Sequence, residues 1–288
     1  METETPLRLG LPKGRMQDGV MKLLADAGIG VQVGYRNYRP TVSMDGLEAK
    51  LLKPQNIVEM LHAGSRELGF AGADWVAEMD VDLVEILDTE LDPVRLVAAA
   101  PEEMVADGAL PDGSLVVASE YEKLTKEWID ERELDARFVH SYGATEVFPP
   151  EDADCIVDNT ATGSTLRANG LTIVDVLMTS STRLYANPRV LENPDRKAII
   201  DRLVLLLESV LTARRRVMIE VNVDAEHLDE MVDFIPCMRE PTISPLRGDT
   251  GFAVKAAVPR DELTAIVPAL KSRGGTDIVV SELAQIIP

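Results

Sequence analysis

The chain has 288 residues, 45% of them hydrophobic, and a formal net charge of −20 at pH 7. That length holds two or three domains and that composition builds a core, so the chain is globular rather than disordered. The acidic balance argues against a nucleic-acid-binding surface, which needs a basic patch, and no apolar run approaches the roughly eighteen residues of a membrane span.

In chain order, Leu7–Leu11 reads as a first strand. The turn Pro12-Lys13-Gly14-Arg15 follows, then an amphipathic helix with Met16, Val20, Leu23, Leu24 and Ala27 on one face, ended by Gly28 and Gly30. Leu47–Lys53 reads as a strand, and Pro54 opens a helix to Gly64. Glu67–Gly72 reads as a short strand closing on Ala73-Asp74, with a helix beginning near Trp75. Leu83–Leu87 and Val94–Ala100 are predicted as separate strands. A second strand–helix series then begins, with strands at Leu115–Ser119 and Ala136–His140 around a helix from Tyr121 to Glu133. Gly143-Ala144-Thr145-Glu146 starts a short helix, stopped by Pro149-Pro150.

Asp154–Leu166 is the stretch richest in chemistry: Asp-Cys-Ile-Val-Asp-Asn-Thr-Ala-Thr-Gly-Ser-Thr-Leu. Ala153 to Val157 predicts a buried strand, Thr160 to Gly163 a turn, and Ser164 the start of a helix reaching Gly170. Backbone N–H groups at such a helix start have no partner inside the helix and attract anions. The hydroxyls of Thr160, Thr162, Ser164 and Thr165 add donors, and Gly163 admits a ligand close to the backbone. This is the chemistry of a phosphate monoester site. Asp154 and Asp158 are candidates for ribose hydroxyls or a hard cation such as Mg²⁺. Ser and Thr also cap helices in every α/β protein, so the turn by itself has an ordinary structural reading.

Strands at Leu171–Met178 and Thr182–Ala186 follow, and Pro194 opens a long helix from Asp195 to about Arg214 with Ile199, Leu203, Leu206, Leu207 and Val210 inward. The alternation predicts an α/β fold: two lobes, each a mostly parallel sheet covered on both sides, around a cleft. Ligands of such sheets bind at the carboxyl ends of strands, where Lys13, Asp74, Glu146 and the Asp158 loop fall. From Arg216 the order becomes β-α-β-β-α-β, with a hairpin at Gly248-Asp249-Thr250-Gly251. That is the ferredoxin-like order.

Cys155 and Cys237 give neither a disulfide framework nor zinc spacing, and the three histidines (His62, His140, His227) lack ligand partners at short spacing. The N-terminus, Met-Glu-Thr-Glu-Thr-Pro, is not a secretory signal, so the expected location is cytoplasmic. Nine lysines stand against twenty arginines and forty-nine acids, a halophile-like surface whose self-repulsion needs salt to screen it.

Together these stretches resemble ATP phosphoribosyltransferase in its long form. The resemblance rests on Leu-Pro-Lys-Gly-Arg-Met at 11–16, Leu-Lys-Pro-Gln-Asn-Ile at 52–57, Glu-Leu-Gly-Phe-Ala-Gly-Ala-Asp at 67–74, the Asp154–Leu166 loop with Asn169-Gly170-Leu171, and Pro-Thr-Ile-Ser-Pro-Leu at 241–246. It implies a periplasmic-binding-protein type of two-lobed catalytic region with a C-terminal regulatory domain. The implied boundaries are 1–93 with 180–214 for the first lobe, 94–179 for the second, and 215–288 for the regulatory domain. It further implies the first step of histidine biosynthesis: phosphoribosyl transfer from phosphoribosyl pyrophosphate to N1 of ATP with Mg²⁺, inhibited by histidine. The implied assembly is a homo-oligomer, dimer to hexamer. Carried over residue by residue, Asp158, Thr160, Ala161, Thr162, Gly163, Ser164 and Thr165 hold phosphoribosyl pyrophosphate. Lys13, Gly14, Arg15, Asp74 and Tyr121 face ATP, Glu146 lies near the substrates, Thr242 and Ser244 near histidine, and Asp154 with Asp158 near the metal. The chain departs from the family pattern at Lys53, Asn56, Ala71 and Glu240. Two rivals share parts of this pattern: a periplasmic-type solute-binding protein and a nucleotide-salvage phosphoribosyltransferase.

Overall fold

The computed structural model describes residues 6–34 and 38–287. The chain divides into two compact units. The first runs to Lys22 and resumes from Ile29 to Ile200; the second takes Leu23–Gly28 and the chain from Asp201 onward.

The chain opens with β1 (Leu7–Pro12), α1 (Arg15–Asp26), a ribbon of β2 (Val31–Gln32) and β3 (Thr41–Val42), then β4 (Leu47–Leu52), α2 (Pro54–His62), β5 (Leu68–Gly72) and α3 (Ala73–Met79). A long strand β6 (Val84–Pro101) leads to β7 (Leu115–Ser119), α4 (Glu122–Glu131), β8 (Ala136–His140), β9 (Cys155–Thr160) and α5 (Ser164–Ala168). A second long strand β10 (Leu171–Ala186) returns, followed by α6 (Pro194–Arg214).

One eight-stranded sheet in the order β4-β1-β5-β10-β6-β9-β7-β8 runs through the first unit. It is mixed rather than mostly parallel, which corrects the expectation from alternation. β4, β1 and β5 are parallel neighbours in one lobe, as are β9, β7 and β8 in the other. Between them β10 and β6 run antiparallel to each other and to the flanking strands. The two pairs of predicted short strands are therefore two continuous strands. The polar segment Asp88–Pro93 looks like a turn in sequence, but here it is a bulged kink. Glu90 and Asp92 adopt positive φ, and the register shifts on both sides of Thr182. Side chains stitch the kink: Thr89 Oγ1 donates to the Thr182 carbonyl, Ser181 Oγ to Asp88 at 2.7 Å, and Thr182 Oγ1 to Asp92 at 3.0 Å.

Successive strand residues face opposite sides of a sheet. In the second lobe both sides are covered. Leu96, Ala98, Val117, Cys155 and Val157 enter one core, while Val97, Ala99, Ala118 and Ile156 enter the other. This is why β6 and β9 read as unbroken apolar runs instead of alternating ones. Polar residues take over where β9 leaves these cores, at Asp158.

The second unit carries β11 (Arg216–Val223), α7 (Leu228–Phe234), β12 (Thr242–Pro245), β13 (Phe252–Pro259), α8 (Leu263–Ser272) and β14 (Thr276–Glu282). Its four-stranded sheet has the order β12-β13-β11-β14, all antiparallel, which is the ferredoxin-like arrangement. Val217, Ile219, Val221 and Val223 alternate inward from β11 onto Met231, Ile266 and Leu270 of the helices. Among the described residues no helix is long and apolar enough to cross a membrane.

Candidate active site

β9 delivers Asp158, Asn159 and Thr160 to the mouth of a cavity of about 280 Å³, and the turn into α5 forms its wall. The loop holds its own shape. Thr160 Oγ1 accepts from the Gly163 amide at 2.9 Å, and Thr162 Oγ1 donates to Ser164 Oγ at 3.0 Å. Gly163 caps α5 with φ of 73°, in the left-handed region that favours glycine. The first intrahelical bond is from the Arg167 amide to the Gly163 carbonyl, which leaves the Thr165 and Leu166 amides without an acceptor among the described residues. The helix is shorter than expected, ending at Ala168.

Arg15 and Glu146 line the same cavity from other elements. Arg15 opens α1, and Glu146 lies in a short 3-10 turn after Ala144, which has positive φ. Burial pushes the Asp158 carboxyl up to about 6; Glu146 and Glu120 push the same way, against the Asn159 amide and Arg15. The Asn159 amide donates to Asp158 Oδ1 at 2.7 Å. A half-buried carboxylate crowded by two others, beside hydroxyls and one guanidinium, is a hard-oxygen donor set that suits a divalent cation or ribose hydroxyls.

Asp154 does not belong to that set, which corrects its pairing with Asp158 on one metal. Four residues of extended strand separate the two by about 13 Å. Asp154 instead secures the sheet: its Oδ2 accepts from the Val116 amide at 2.8 Å, and its own amide donates back to the Val116 carbonyl at 2.9 Å.

Behind Asn159 runs a buried network that no local pattern in the sequence signals. Asn159 Nδ2 donates to Tyr121 Oη at 2.8 Å, and Tyr121 Oη donates to Asp74 Oδ2 at 2.7 Å. Ser180 Oγ donates to Asp74 Oδ1 at 2.7 Å and accepts from the Asp74 amide at 3.1 Å. Trp75 stacks on the Tyr121 ring with centroids 4.6 Å apart. Gly72 makes room for the Asp74 carboxylate, since a Cβ there would meet Asp74 Oδ1 at 2.1 Å. Burial, reinforced by Asp74, keeps the Tyr121 hydroxyl protonated. Asp74 and Tyr121 are thus brought together, with Asn159 as their outlet to the cavity. Tyr121→Phe removes both bonds and leaves the Asp74 and Asn159 groups short of a partner. We expect a loss of about 1–3 kcal/mol in stability, read as a lower Tm, with the Asn159 side chain no longer fixed.

Lys13 stands apart from this cavity, its Nζ 3.4 Å from the centroid of the Tyr38 ring. Gly14 has φ of 78° and open space around its Cα. Burial pushes the Cys155 thiol up to about 12, so it is no nucleophile. In the second unit Thr242 lines a cavity of about 590 Å³ together with Met218, Glu240 and Lys255, whereas the exposed Ser244 lies outside that lining.

A two-lobed α/β catalytic region with a phosphate-type loop at a strand end, joined to a ferredoxin-like module, defines the class. Residues 53–209 match the family model for ATP phosphoribosyltransferase, and residues 213–285 match the model for the C-terminal domain of the same family. ATP phosphoribosyltransferase from Prosthecochloris aestuarii is 36% identical over 286 residues, covering 98% of this chain and 97% of the relative. The enzyme of that name from Pelotomaculum thermopropionicum is 34% identical over 287 residues, covering 98% and 99%. Among solved structures, the ATP phosphoribosyl transferase (HisG:HisZ) complex from Thermotoga maritima superposes with a TM-score of 0.61 at 24% identity, over 70% of this chain and 98% of that one, a likeness of fold. The chain belongs to the ATP phosphoribosyltransferase family, in its long form, and is a pentosyl transferase of the first step of histidine biosynthesis.

Proposed function

We propose that the chain transfers the 5-phosphoribosyl group from phosphoribosyl pyrophosphate to N1 of ATP, releasing pyrophosphate. The observation that carries this reading is the cavity in which Asp158, Arg15 and the Thr160–Thr165 loop meet. The loop amides and hydroxyls take the 5-phosphate, and Asp158 takes the ribose hydroxyls. Arg15 faces the pyrophosphate, and Lys13, across the open turn at Gly14 and outside this cavity, is read as a contact to the polyphosphate of ATP. The transition state has positive charge on the ribose and growing negative charge on the leaving group, so positioning and electrostatics supply the rate and no covalent nucleophile is required. Glu146, a cavity carboxylate without a hydrogen bond among the described residues, is placed for the nucleotide side. Asp74 and Tyr121 act there by holding Asn159. Mg²⁺ fits the donor set of Asp158 and Glu146 and, when bound, neutralises the charge developing on pyrophosphate. Comparing initial rates with ATP and with free purine and pyrimidine bases tests the reading. Turnover with ATP alone supports it, turnover with a free base favours the salvage reaction, and binding without turnover favours a solute-binding role.

We read residues 215–288 as the regulatory domain and the Thr242-lined cavity as the place of the histidine effector, in a cytoplasmic homo-oligomer, dimer to hexamer. Deleting the residues after Arg216 is then expected to abolish histidine inhibition in a variant shown to be folded; inhibition at unchanged concentration sinks this role. The charge of −20 also carries an expectation for salt. Tm and activity are expected to rise together from dilute buffer to molar KCl as like charges are screened, and full activity with an unchanged Tm in dilute buffer contradicts it.

A further inference from the structure

A second polar cavity of about 340 Å³ lies in the first unit beside the amino ends of β1 and β5, whereas Lys13, Asp74 and the phosphate loop follow the carboxyl ends of strands. Its walls come from the end of α2 and from the connection between β10 and α6. Four guanidinium groups gather here, those of Arg8, Arg66, Arg189 and Arg196, against the carboxylates of Glu67 and Glu48.

The four are not equivalent. Glu67 is shared by Arg8, whose Nε lies 3.0 Å from both carboxylate oxygens, and by Arg196, whose Nη1 donates to Oε1 at 3.0 Å. Arg8 also donates to the Gly64 carbonyl at 3.1 Å. These two cations share one anion, which fixes the frame and leaves one positive charge in excess. Arg66 and Arg189 are less fully matched. The Arg66 side chain is 11% exposed, yet its nearest carboxylate, Glu48, stands 3.7 Å away, beyond hydrogen-bonding reach, and its guanidinium makes no hydrogen bond among the described residues. Burial, with Arg8 and Arg39 nearby, pulls the Arg66 guanidinium below its ordinary value despite Glu48. The Arg189 guanidinium lines the cavity without an ion pair or hydrogen bond among the described residues; only its backbone amide is engaged, by Asn187. A mostly buried guanidinium ordinarily finds acceptors, because desolvating a charge is unfavourable unless it is paired. In a chain this acidic, a mostly buried guanidinium held only by a 3.7 Å ion pair and an exposed, unpaired one lining the same cavity mark a place for an external anion, and planar N–H forks match tetrahedral and carboxylate oxyanions.

We propose that this cavity is a second anion site, holding one small oxyanion of phosphate size between Arg66 and Arg189. The proposal stands apart from the reading of the phosphate loop. Inorganic phosphate is the probe, titrated by calorimetry at constant KCl into the full-length chain. The Gly163→Asp variant, whose loop is blocked, is expected to keep one phosphate-binding event. Adding Arg189→Gln, a change at an exposed residue, weakens that event about tenfold, and Arg66→Gln does the same. Loss of all phosphate binding on Gly163→Asp alone overturns the proposal, as does unchanged affinity in both arginine variants. The same chemistry could come from an acidic side chain of a second copy of the chain. If Arg189→Gln changes the mass of the assembly in sedimentation while phosphate affinity stays the same, the cavity receives that side chain and the small-anion proposal falls.

Discussion

Gly163→Asp is expected to weaken phosphoribosyl pyrophosphate binding by at least about a hundredfold, a loss of about 3 kcal/mol, in a protein that still folds. Two effects add. At φ of 73° any side chain is disfavoured, and a Cβ at this position lies 3.0 Å from Arg167 Nη1 and 3.6 Å from Ile173 Cδ1. The strain alone is about 1–2 kcal/mol, less for aspartate than for most residues. The larger effect is charge. The new carboxylate sits at the cap of α5, against the unpaired Thr165 and Leu166 amides, where the substrate phosphate is to bind. It also draws in the Arg167 guanidinium. Gly163→Ala separates the two, because it carries the backbone strain without the charge. Binding measured by calorimetry is expected to fall modestly for alanine and nearly vanish for aspartate. Retained affinity in a folded Gly163→Asp variant removes the loop assignment.

Asp158→Asn is expected to move stability and activity in opposite directions. Burial holds the Asp158 carboxyl at about 6, above its ordinary 3.8, so the folded state favours the protonated form. For a raised carboxyl the stabilisation is fully present below pH ~4 and is lost as pH rises through ~6. At pH 7.5 the ionised group therefore weakens the fold by up to about 3 kcal/mol. Asparagine keeps the oxygen that accepts from the Asn159 amide and has no charge to desolvate. The variant should melt higher than the parent at pH 7.5, with the difference shrinking toward zero by pH ~4. Its kcat/KM should fall about 10²–10³-fold, since the ribose or cation loses its anionic partner. A Tm difference independent of pH contradicts the burial account, and undiminished kcat/KM contradicts the site. Such a residue sets function against stability, as binding groups held in poor solvation do.

The parts of this fold legible in the sequence are those where local pattern and burial agree. The apolar runs of β6 and β9 gave the doubly covered second lobe, and the order of elements after Arg216 gave the ferredoxin-like module. The loop from Asp158 to Thr165 was legible because its chemistry is contiguous. What was not legible depends on distant partners. Asp88–Pro93 has the composition of a turn, and only pairing with β10 shows it to be a kink inside one strand. Asp154 carries the same carboxylate as Asp158, and only the neighbouring β7 reveals that its task is to hold the Val116 amide. Ser180 meets Asp74 across 106 residues of chain, and Asn159, the link from Tyr121 to the cavity, has no pattern of its own between Asp158 and Thr160. Lys13 and Arg15 stand one residue apart and read in sequence as a single cationic turn. The turn at Gly14 parts them, one to the Tyr38 ring and the other to the cavity.

The most direct measurement is the bond that the reaction forms. The full-length chain is incubated with phosphoribosyl pyrophosphate, Mg²⁺ and ATP labelled with ¹⁵N at N1, in molar KCl, and the product is examined by heteronuclear NMR. The account predicts a scalar coupling between the labelled N1 and ribose C1, with one pyrophosphate released per bond. Pyrophosphate release that requires a free base, or a product in which the labelled nitrogen stays uncoupled, contradicts it.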